Sequence, residues 1–135
     1  MEVQLPMPEL AFDQRKRVLI VDPSADSRSV LRTALERRGV RIFEAPGARQ
    51  GLEIVRAQHP EVVVLDWEST AAEDASIRAA YESELTSHRA ELVILGNLRR
   101  CEVTADQHLV RKPYHYGPLI RKIEQLIEHS ANYRQ

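Results

Sequence analysis

The sequence predicts an α/β fold in which a doubly wound, five-stranded parallel sheet carries helices on both faces. Short aliphatic runs alternate with segments of helical periodicity, and this alternation is typical of βαβ units. The aliphatic runs do not alternate between apolar and polar residues, which indicates strands buried on both faces. Because right-handed crossovers place helices on both sides of such a sheet, we predict the strand order 2-1-3-4-5.

Five strands are predicted. Three are aliphatic runs, and they are followed by Asp22, Asp66 and Gly96. One weaker strand follows Gly39, a glycine expected to end the preceding helix, and the last is a two-residue candidate. The predicted strands are Val18–Val21, Val40–Phe43, Val62–Leu65, Leu92–Leu95 and Leu109–Val110.

Four segments have apolar residues at helical spacing. The first begins near Ser24 and Asp26, residue types that favour a helix start, and its apolar stripe includes Val30, Leu31 and Leu35. Only twelve residues remain between Gly96 and Leu109, so the helix between the fourth and fifth strands is expected to be shortened to one or two turns or replaced by a loop. The other helical segments are Gly47–Ala57, Ala71–Leu85 and Pro118–His129.

Length and composition limit the possible classes of protein. A chain of 135 residues fits one domain, which we place at residues 15–130 between an N-terminal tail (1–14) and a C-terminal tail (131–135). The net charge of −1 provides no strong field for nucleic acid or a membrane surface. The single cysteine, Cys101, excludes an internal disulfide and a multi-cysteine zinc site. No signal peptide or membrane span is evident, so we predict a cytoplasmic protein.

Charged side chains follow three of the predicted strands. Asp22 directly follows the first strand, Asp66 follows the third, and Lys112 with Pro113 comes after the fifth. Functional groups of open parallel sheets collect beyond the carboxyl ends of the strands, so we expect these residues to converge. Two carboxylates and an ammonium suit a divalent cation such as Mg²⁺ together with a phosphoryl group.

At these residues the chain resembles the receiver domains of two-component response regulators. The resemblance rests on VLIVDPSADSRSVLRTALERRG, EVVVLDW and VRKPY, and it covers residues 17–130. It implies the flavodoxin-like receiver fold, with Asp66 as the phosphoacceptor and Asp22 among the acids that organise Mg²⁺. It also implies that Lys112 contacts the phosphoryl group and that Pro113 follows through a cis peptide bond.

The metal-binding acids depart from the family pattern. Receivers carry two adjacent acids after the first strand, where this chain has Asp22-Pro23. Because Pro23 offers no ligand, we expect Mg²⁺ binding to be weak or lost. Glu68, two residues past Asp66, is a candidate to compensate. A second interpretation of Asp22 is that it only caps the following helix.

The residues that usually move on phosphorylation are also altered. The family places Thr or Ser after the fourth strand, where this chain has Gly96, and its aromatic switch position corresponds to Leu109. His108 and Tyr114 are nearby candidates for a substitute. Any output is therefore expected to use a changed surface.

These features support two functional hypotheses. The first is a non-enzymatic, stand-alone phosphorelay receiver, phosphorylated at Asp66 with reduced efficiency by a histidine kinase or phosphotransfer protein. It would act on a downstream protein partner or through a homodimer, without nucleic acid or membrane. The alternative is a phosphorylation-independent pseudo-receiver that binds or dimerises, suggested by Pro23 and Gly96. A flavodoxin-like enzyme or nucleotide binder lacks support, since there is no glycine-rich phosphate loop.

Overall fold

The computed structural model describes residues 15–66, 75–96 and 107–134, with the backbone alone at 107 and 130–134. Five strands and four helices lie in these ranges. The strands are β1 (Arg17–Val21), β2 (Arg41–Ala45), β3 (Val62–Asp66), β4 (Glu91–Leu95) and β5 (Gln107–Val110). The helices are α1 (Ala25–Glu36), α2 (Ala48–Gln58), α3 (Ala75–Ser87) and α4 (Tyr116–Arg134).

The strands form one sheet in the order β2-β1-β3-β4-β5, and every pairing is parallel. The predicted fold class and strand order are therefore confirmed. Val21 pairs with Leu65, and Asp66 pairs with Leu95. This register brings the residues that follow β1, β3 and β4 to the same edge of the sheet.

The core has two layers, one on each face of the sheet. In β1, Val18 and Ile20 belong to the layer covered by α1 and α4. Leu19 and Val21 belong to the layer covered by α2 and α3. All four side chains are fully buried, and burial of each stabilises the fold by about 1.5–3 kcal/mol. Burial on both faces is the reason that the strands are continuous aliphatic runs.

The predicted ends of α1 are correct. The Ser24 hydroxyl accepts a hydrogen bond from the Ser27 N–H at 3.2 Å, which caps the helix. Beyond its end, Gly39 has φ +82° and donates to the Glu36 carbonyl at 3.0 Å. Val30 lies off the buried side of α1, because this residue is 42% exposed. Leu31 and Leu35 form the buried stripe of the helix. Val30 precedes Leu31 by one residue, which rotates its side chain by about 100° around the helix axis.

Helix α4 is longer than predicted at both ends, running from Tyr116 to Arg134. Pro118 lies in its first turn, where a missing N–H costs no intrahelical hydrogen bond. The first four N–H groups of a helix have no intrahelical acceptor, so proline is tolerated at any of these positions and does not mark the exact start. Although α4 is the longest helix, none of the described helices has the length and apolarity needed to cross a membrane.

The contact between α2 and α3 depends on a glycine. Tyr81 is fully buried, and its hydroxyl donates to the Ala48 carbonyl at 2.6 Å. A Cβ added at Gly51 would overlap the Tyr81 hydroxyl and lie 2.7 Å from Val21 Cγ2. Burial also raises the pKa of Tyr81 well above its usual range. The phenol therefore stays neutral and keeps the two helices in close contact.

Strands β2 and β5 form the two edges of the sheet. The guanidinium of Arg41 lies 4.9 Å from the centroid of the Phe43 ring, a distance typical of cation–π contacts. Glu44, on the same strand, pairs with Arg28 and Arg32 of α1. Among the described residues, β2 is thus an outer strand whose charged side chains are held in place.

Candidate functional site

Two buried carboxylates and a lysine meet at the carboxyl edge of the sheet. The Nζ of Lys112 lies 2.9 Å from both Asp66 carboxylate oxygens. Asp22 and Asp66 are only 3% and 5% exposed, whereas the Lys112 side chain is 28% exposed. The ammonium thus neutralises buried negative charge while remaining accessible to water.

The topology explains how Lys112 reaches Asp66. Asp66 is the last residue of β3, Lys112 follows β5, and β4 lies between them. The lysine reaches across the end of β4, where Gly96 has no side chain, and the Gly96 N–H donates to the Val110 carbonyl at 3.1 Å. The Lys112-Pro113 peptide bond is cis, as the family resemblance implies.

Asp22 is held at the end of β1 by the chain that follows it. Its Oδ1 accepts a hydrogen bond from the Ser24 N–H at 2.8 Å. The capping interpretation of Asp22 does not describe this contact, because Ser24 is the N-cap residue of α1. Burial raises the pKa of Asp22; the Ser24 N–H opposes this, the charge of Asp66 adds to it, and Lys112 and Arg28 oppose it. Asp22 thus lies within electrostatic reach of Asp66 and Lys112.

Arg28 and Glu44 hold the main chain of Asp22 in place. Arg28 Nη1 donates to the Asp22 carbonyl, and its Nε donates to Glu44 Oε1 at 2.9 Å. Arg32 Nη1 donates to the other Glu44 oxygen at 2.6 Å. The hydrogen bond from Arg32 is the main cause of the lowered pKa of Glu44, which burial alone would raise. The sequence pattern gave no signal for Arg28 or Glu44. Arg28 lies on α1 and Glu44 on β2, and their contact depends on how β2 and α1 pack around β1.

Two tyrosines lie next to the site. Tyr114 is half-buried against the core layer under α4, and burial is the main cause of its raised pKa. The charges of Tyr116, Asp22 and Asp66 add to the rise, whereas Lys112 opposes it. The sequence singled out Tyr114 but gave no signal for Tyr116, whose role depends on a contact with α1.

Of the remaining sequence candidates, those that the structure describes supply no polar side chain to the site. His108 Nε2 is 3.0 Å from Glu91 Oε1, and Glu91 opens β4 at the opposite edge of the sheet, so His108 is not part of the site. Leu109 is half-buried against the layer under α2 and α3, and Pro23 is exposed. Glu68, the proposed compensating ligand, lies outside the described residues, as does the predicted short helix after Gly96.

The two carboxylates are of the ligand type that fits Mg²⁺. Asp22 and Asp66 offer the hard oxygen ligands that Mg²⁺ prefers, and this ion is commonly bound by one or two carboxylates together with a phosphate. Over residues 15–66, 75–96 and 107–134, no cluster of three or more His, Cys, Asp or Glu side chains is arranged to hold a metal.

We expect Asp22→Asn to stabilise the protein at neutral pH by about 1 kcal/mol, because it removes a charge whose burial is unfavourable. The raised pKa means that the native state favours protonated Asp22. The stability that protonated Asp22 contributes to the unmodified protein is complete below the ordinary carboxyl pKa and is lost as pH rises through the raised one, so the advantage of Asn grows towards neutral pH. Denaturant unfolding of both proteins at acidic and neutral pH measures the difference. Equal or lower stability of the variant at neutral pH would contradict the expectation.

Comparison with known protein sequences finds weak similarity to transcriptional regulators. No family model matches the chain. It is similar to a probable transcriptional regulator ycf27 of Cyanophora paradoxa, with 26% identity over 122 residues, covering 87% of this chain and 51% of that protein. It is also similar to the phosphate regulon transcriptional regulatory protein PhoB of Pseudomonas aeruginosa, 24% identical over 123 residues, covering 86% and 53%. The chain spans about half the length of these relatives.

Solved structures give a stronger likeness. A response regulator receiver protein from Sinorhizobium medicae has a TM-score of 0.71 and 15% identity, covering 87% of this chain and 98% of that one. A response regulator receiver modulated diguanylate cyclase from Pelobacter carbinolicus has a TM-score of 0.69 and 22% identity, covering 88% and 97%. At these identities the likeness shows a shared fold, and the fold implied by the family resemblance is confirmed.

Proposed function

We propose that this chain, which has the fold of response-regulator receiver domains, receives signals in a two-component phosphorelay by accepting a phosphoryl group on Asp66. The observation that carries the proposal is the contact of Lys112 Nζ with both Asp66 oxygens beside the buried carboxylate of Asp22. A nucleophile, a cation for the phosphoryl oxygens and a second acid therefore lie together at the carboxyl edge of the sheet.

The chemistry is transfer of a phosphoryl group between two carriers. An Asp66 oxygen attacks phosphorus, the bond from phosphorus to the donor nitrogen or oxygen breaks, and the donor leaves with that electron pair. Aspartate is a weak nucleophile, so neutralisation of the phosphoryl charge matters most, and Lys112 supplies it from the protein. Mg²⁺, when bound by Asp22 and Asp66, would add further neutralisation.

The partners follow from the likeness to receiver domains. A histidine kinase or phosphotransfer protein donates the phosphoryl group, and a downstream protein or a second copy of the chain recognises the product. The protein carries the group without turning over a substrate of its own. We place it in the cytoplasm and, given its net charge of −1, assign it no nucleic-acid or membrane surface.

Two departures from the receiver pattern, at Pro23 and Gly96, favour less efficient phosphorylation. They also support a second candidate function. Pro23 is exposed and offers no carboxylate, which weakens the proposed Mg²⁺ site. Gly96 has no hydroxyl, and its N–H is bonded to the Val110 carbonyl. A pseudo-receiver that binds partners or dimerises without phosphorylation is therefore the alternative.

Intact-mass measurement after incubation with acetyl phosphate and Mg²⁺ tests the proposal. We expect a gain of one phosphate per chain, which is absent in Asp66→Ala because the nucleophile is missing. Pro23→Asp restores a carboxylate beside Asp22, so it should be labelled at a lower Mg²⁺ concentration than the unmodified protein. An ordinary receiver serves as the positive control. No mass gain under conditions that label the control would favour the pseudo-receiver.

A further inference from the structure

A continuous path of contacts leads from Asp66 to the first turn of α1. Lys112, bonded to both Asp66 oxygens, is followed closely by Tyr114 and Tyr116. The two tyrosine rings meet edge to face, with their centroids 5.6 Å apart. The hydroxyl of Tyr116 donates to Ser27 Oγ at 3.2 Å. The start of α4 is thus tied to the start of α1 beside the site.

The path returns to the site through the cap of α1. The Ser27 N–H donates to Ser24 Oγ at 3.2 Å, and the Ser24 N–H donates to Asp22 Oδ1 at 2.8 Å. One carboxylate is therefore connected to Ser27 through the cap, and the other through Lys112 and the two tyrosines. Both connections end at the same serine.

We infer that Tyr114 and Tyr116 are positioning residues that couple the state of Asp66 to the first turn of α1. The inference rests on the proposed function for its biological use. Neither Gly96 nor Leu109 has the hydroxyl or aromatic ring that a response at those positions would require. Tyr114 and Tyr116 provide a hydroxyl and an aromatic ring in the segment that follows Lys112.

Phosphorylation changes the forces on this path. One Asp66 oxygen becomes bonded to phosphorus, so Lys112 loses one of its two equal partners and follows the new charge on the phosphoryl oxygens. Tyr114 lies two residues further along the chain and close enough to Asp66 for that charge to raise the pKa of its phenol, so the phosphoryl charge acts on the same ring. The Tyr114 hydroxyl then donates toward the phosphoryl oxygens, and the edge-to-face contact carries the shift to Tyr116. The expected result is a changed Tyr116–Ser27 hydrogen bond.

The variants separate this coupling from simple packing, since both tyrosines also contact the core. Tyr116→Phe keeps the ring and removes only the hydroxyl. Ser27→Ala removes the acceptor from the α1 side and keeps the N–H that bonds Ser24. Tyr81→Phe is the matched control, because it removes a buried tyrosine hydroxyl in the core layer on the opposite face.

The experiment records amide NMR signals of Ser27 to Leu31 while the charge at Asp66 is changed in two ways. Acetyl phosphate with Mg²⁺ adds the phosphoryl group, with intact mass as the check, and Asp66→Asn removes the carboxylate charge. We expect both changes to shift these signals in the unmodified protein and in Tyr81→Phe. The shifts should be lost in Tyr116→Phe and in Ser27→Ala.

The outcomes distinguish this inference from the proposed function. If no phosphate is gained but Asp66→Asn shifts the α1 signals through Tyr116, the coupling holds and the proposed function fails. If the α1 signals stay fixed under both changes, the coupling is wrong even where the mass increases. Shifts of the same size in Tyr116→Phe as in the unmodified protein would also overturn it, because packing alone would then explain the tyrosines.

Discussion

Gly51→Ala should lower the free energy of unfolding by about 1–3 kcal/mol, the usual cost of overpacking a tight core. The added Cβ would overlap the Tyr81 hydroxyl and lie 2.7 Å from Val21 Cγ2. Val21 belongs to a buried strand and cannot move aside. Alanine favours a helix over glycine by up to about 1 kcal/mol, and the overlap exceeds that gain. Urea unfolding monitored by circular dichroism measures the net effect.

The same substitution at Gly117 is the matched control. Gly117 is also helical but exposed, and a Cβ there would meet only Arg121 Nη1, at 3.5 Å. Gly117→Ala should therefore be neutral or stabilising, by about 0.5 kcal/mol. Adding Tyr81→Phe to Gly51→Ala removes the closest overlap, so the two effects should not add. A double variant as unstable as the sum of the single variants would contradict the proposed contact.

Lys112→Met should have the second large effect, a loss of about 1–3 kcal/mol of stability at neutral pH. It leaves the carboxylates of Asp22 and Asp66 buried without their ammonium. Removing one partner of a fully buried ion pair costs ~3–5 kcal/mol. The expected loss is smaller because the Lys112 side chain is 28% exposed, and solvent screens its charge.

The destabilisation by Lys112→Met should depend on pH. Lys112 lowers the pKa of Asp22 in the unmodified protein, so its removal raises that pKa further. A raised folded-state pKa favours the protonated native state, and the associated stability is lost as pH rises. The destabilisation should therefore be small below the ordinary carboxyl range and largest at neutral pH. Asp66→Asn combined with Lys112→Met should recover most of the loss; no recovery would mean that Lys112 stabilises by another route.

The strands were predictable because burial on both faces leaves a direct mark on the sequence. Val62–Leu65 is an uninterrupted aliphatic run, and its strand was placed within one residue. Edge strand β2 was less clear because it contains Arg41 and Glu44. The start of α4 was missed because Pro118 reads as the first residue of a helix, although any position in the first turn accepts it.

The site was predictable to the extent that its residues follow strands. Asp22, Asp66 and Lys112 could be found because the carboxyl ends of parallel strands share one edge. Arg28 and Glu44 are 16 residues apart in the chain, and Tyr116 and Ser27 are 89 apart. Pairings of this kind depend on helix placement and side-chain reach, which hydrophobic periodicity does not record. The supporting contacts of the site therefore required coordinates.

The charges on β2 also bear on how copies of this protein avoid joining through their sheets. An edge strand offers unpaired N–H and C=O groups to any extended chain, and charged side chains discourage such pairing. At β2, Arg41 lies over Phe43, and Glu44 is fixed between Arg28 and Arg32. An added strand would have to displace or cover these groups, and the opposite edge is a strand of only four residues. The glutamate that helps to hold Asp22 is thus also one of the charges that discourage strand addition at β2.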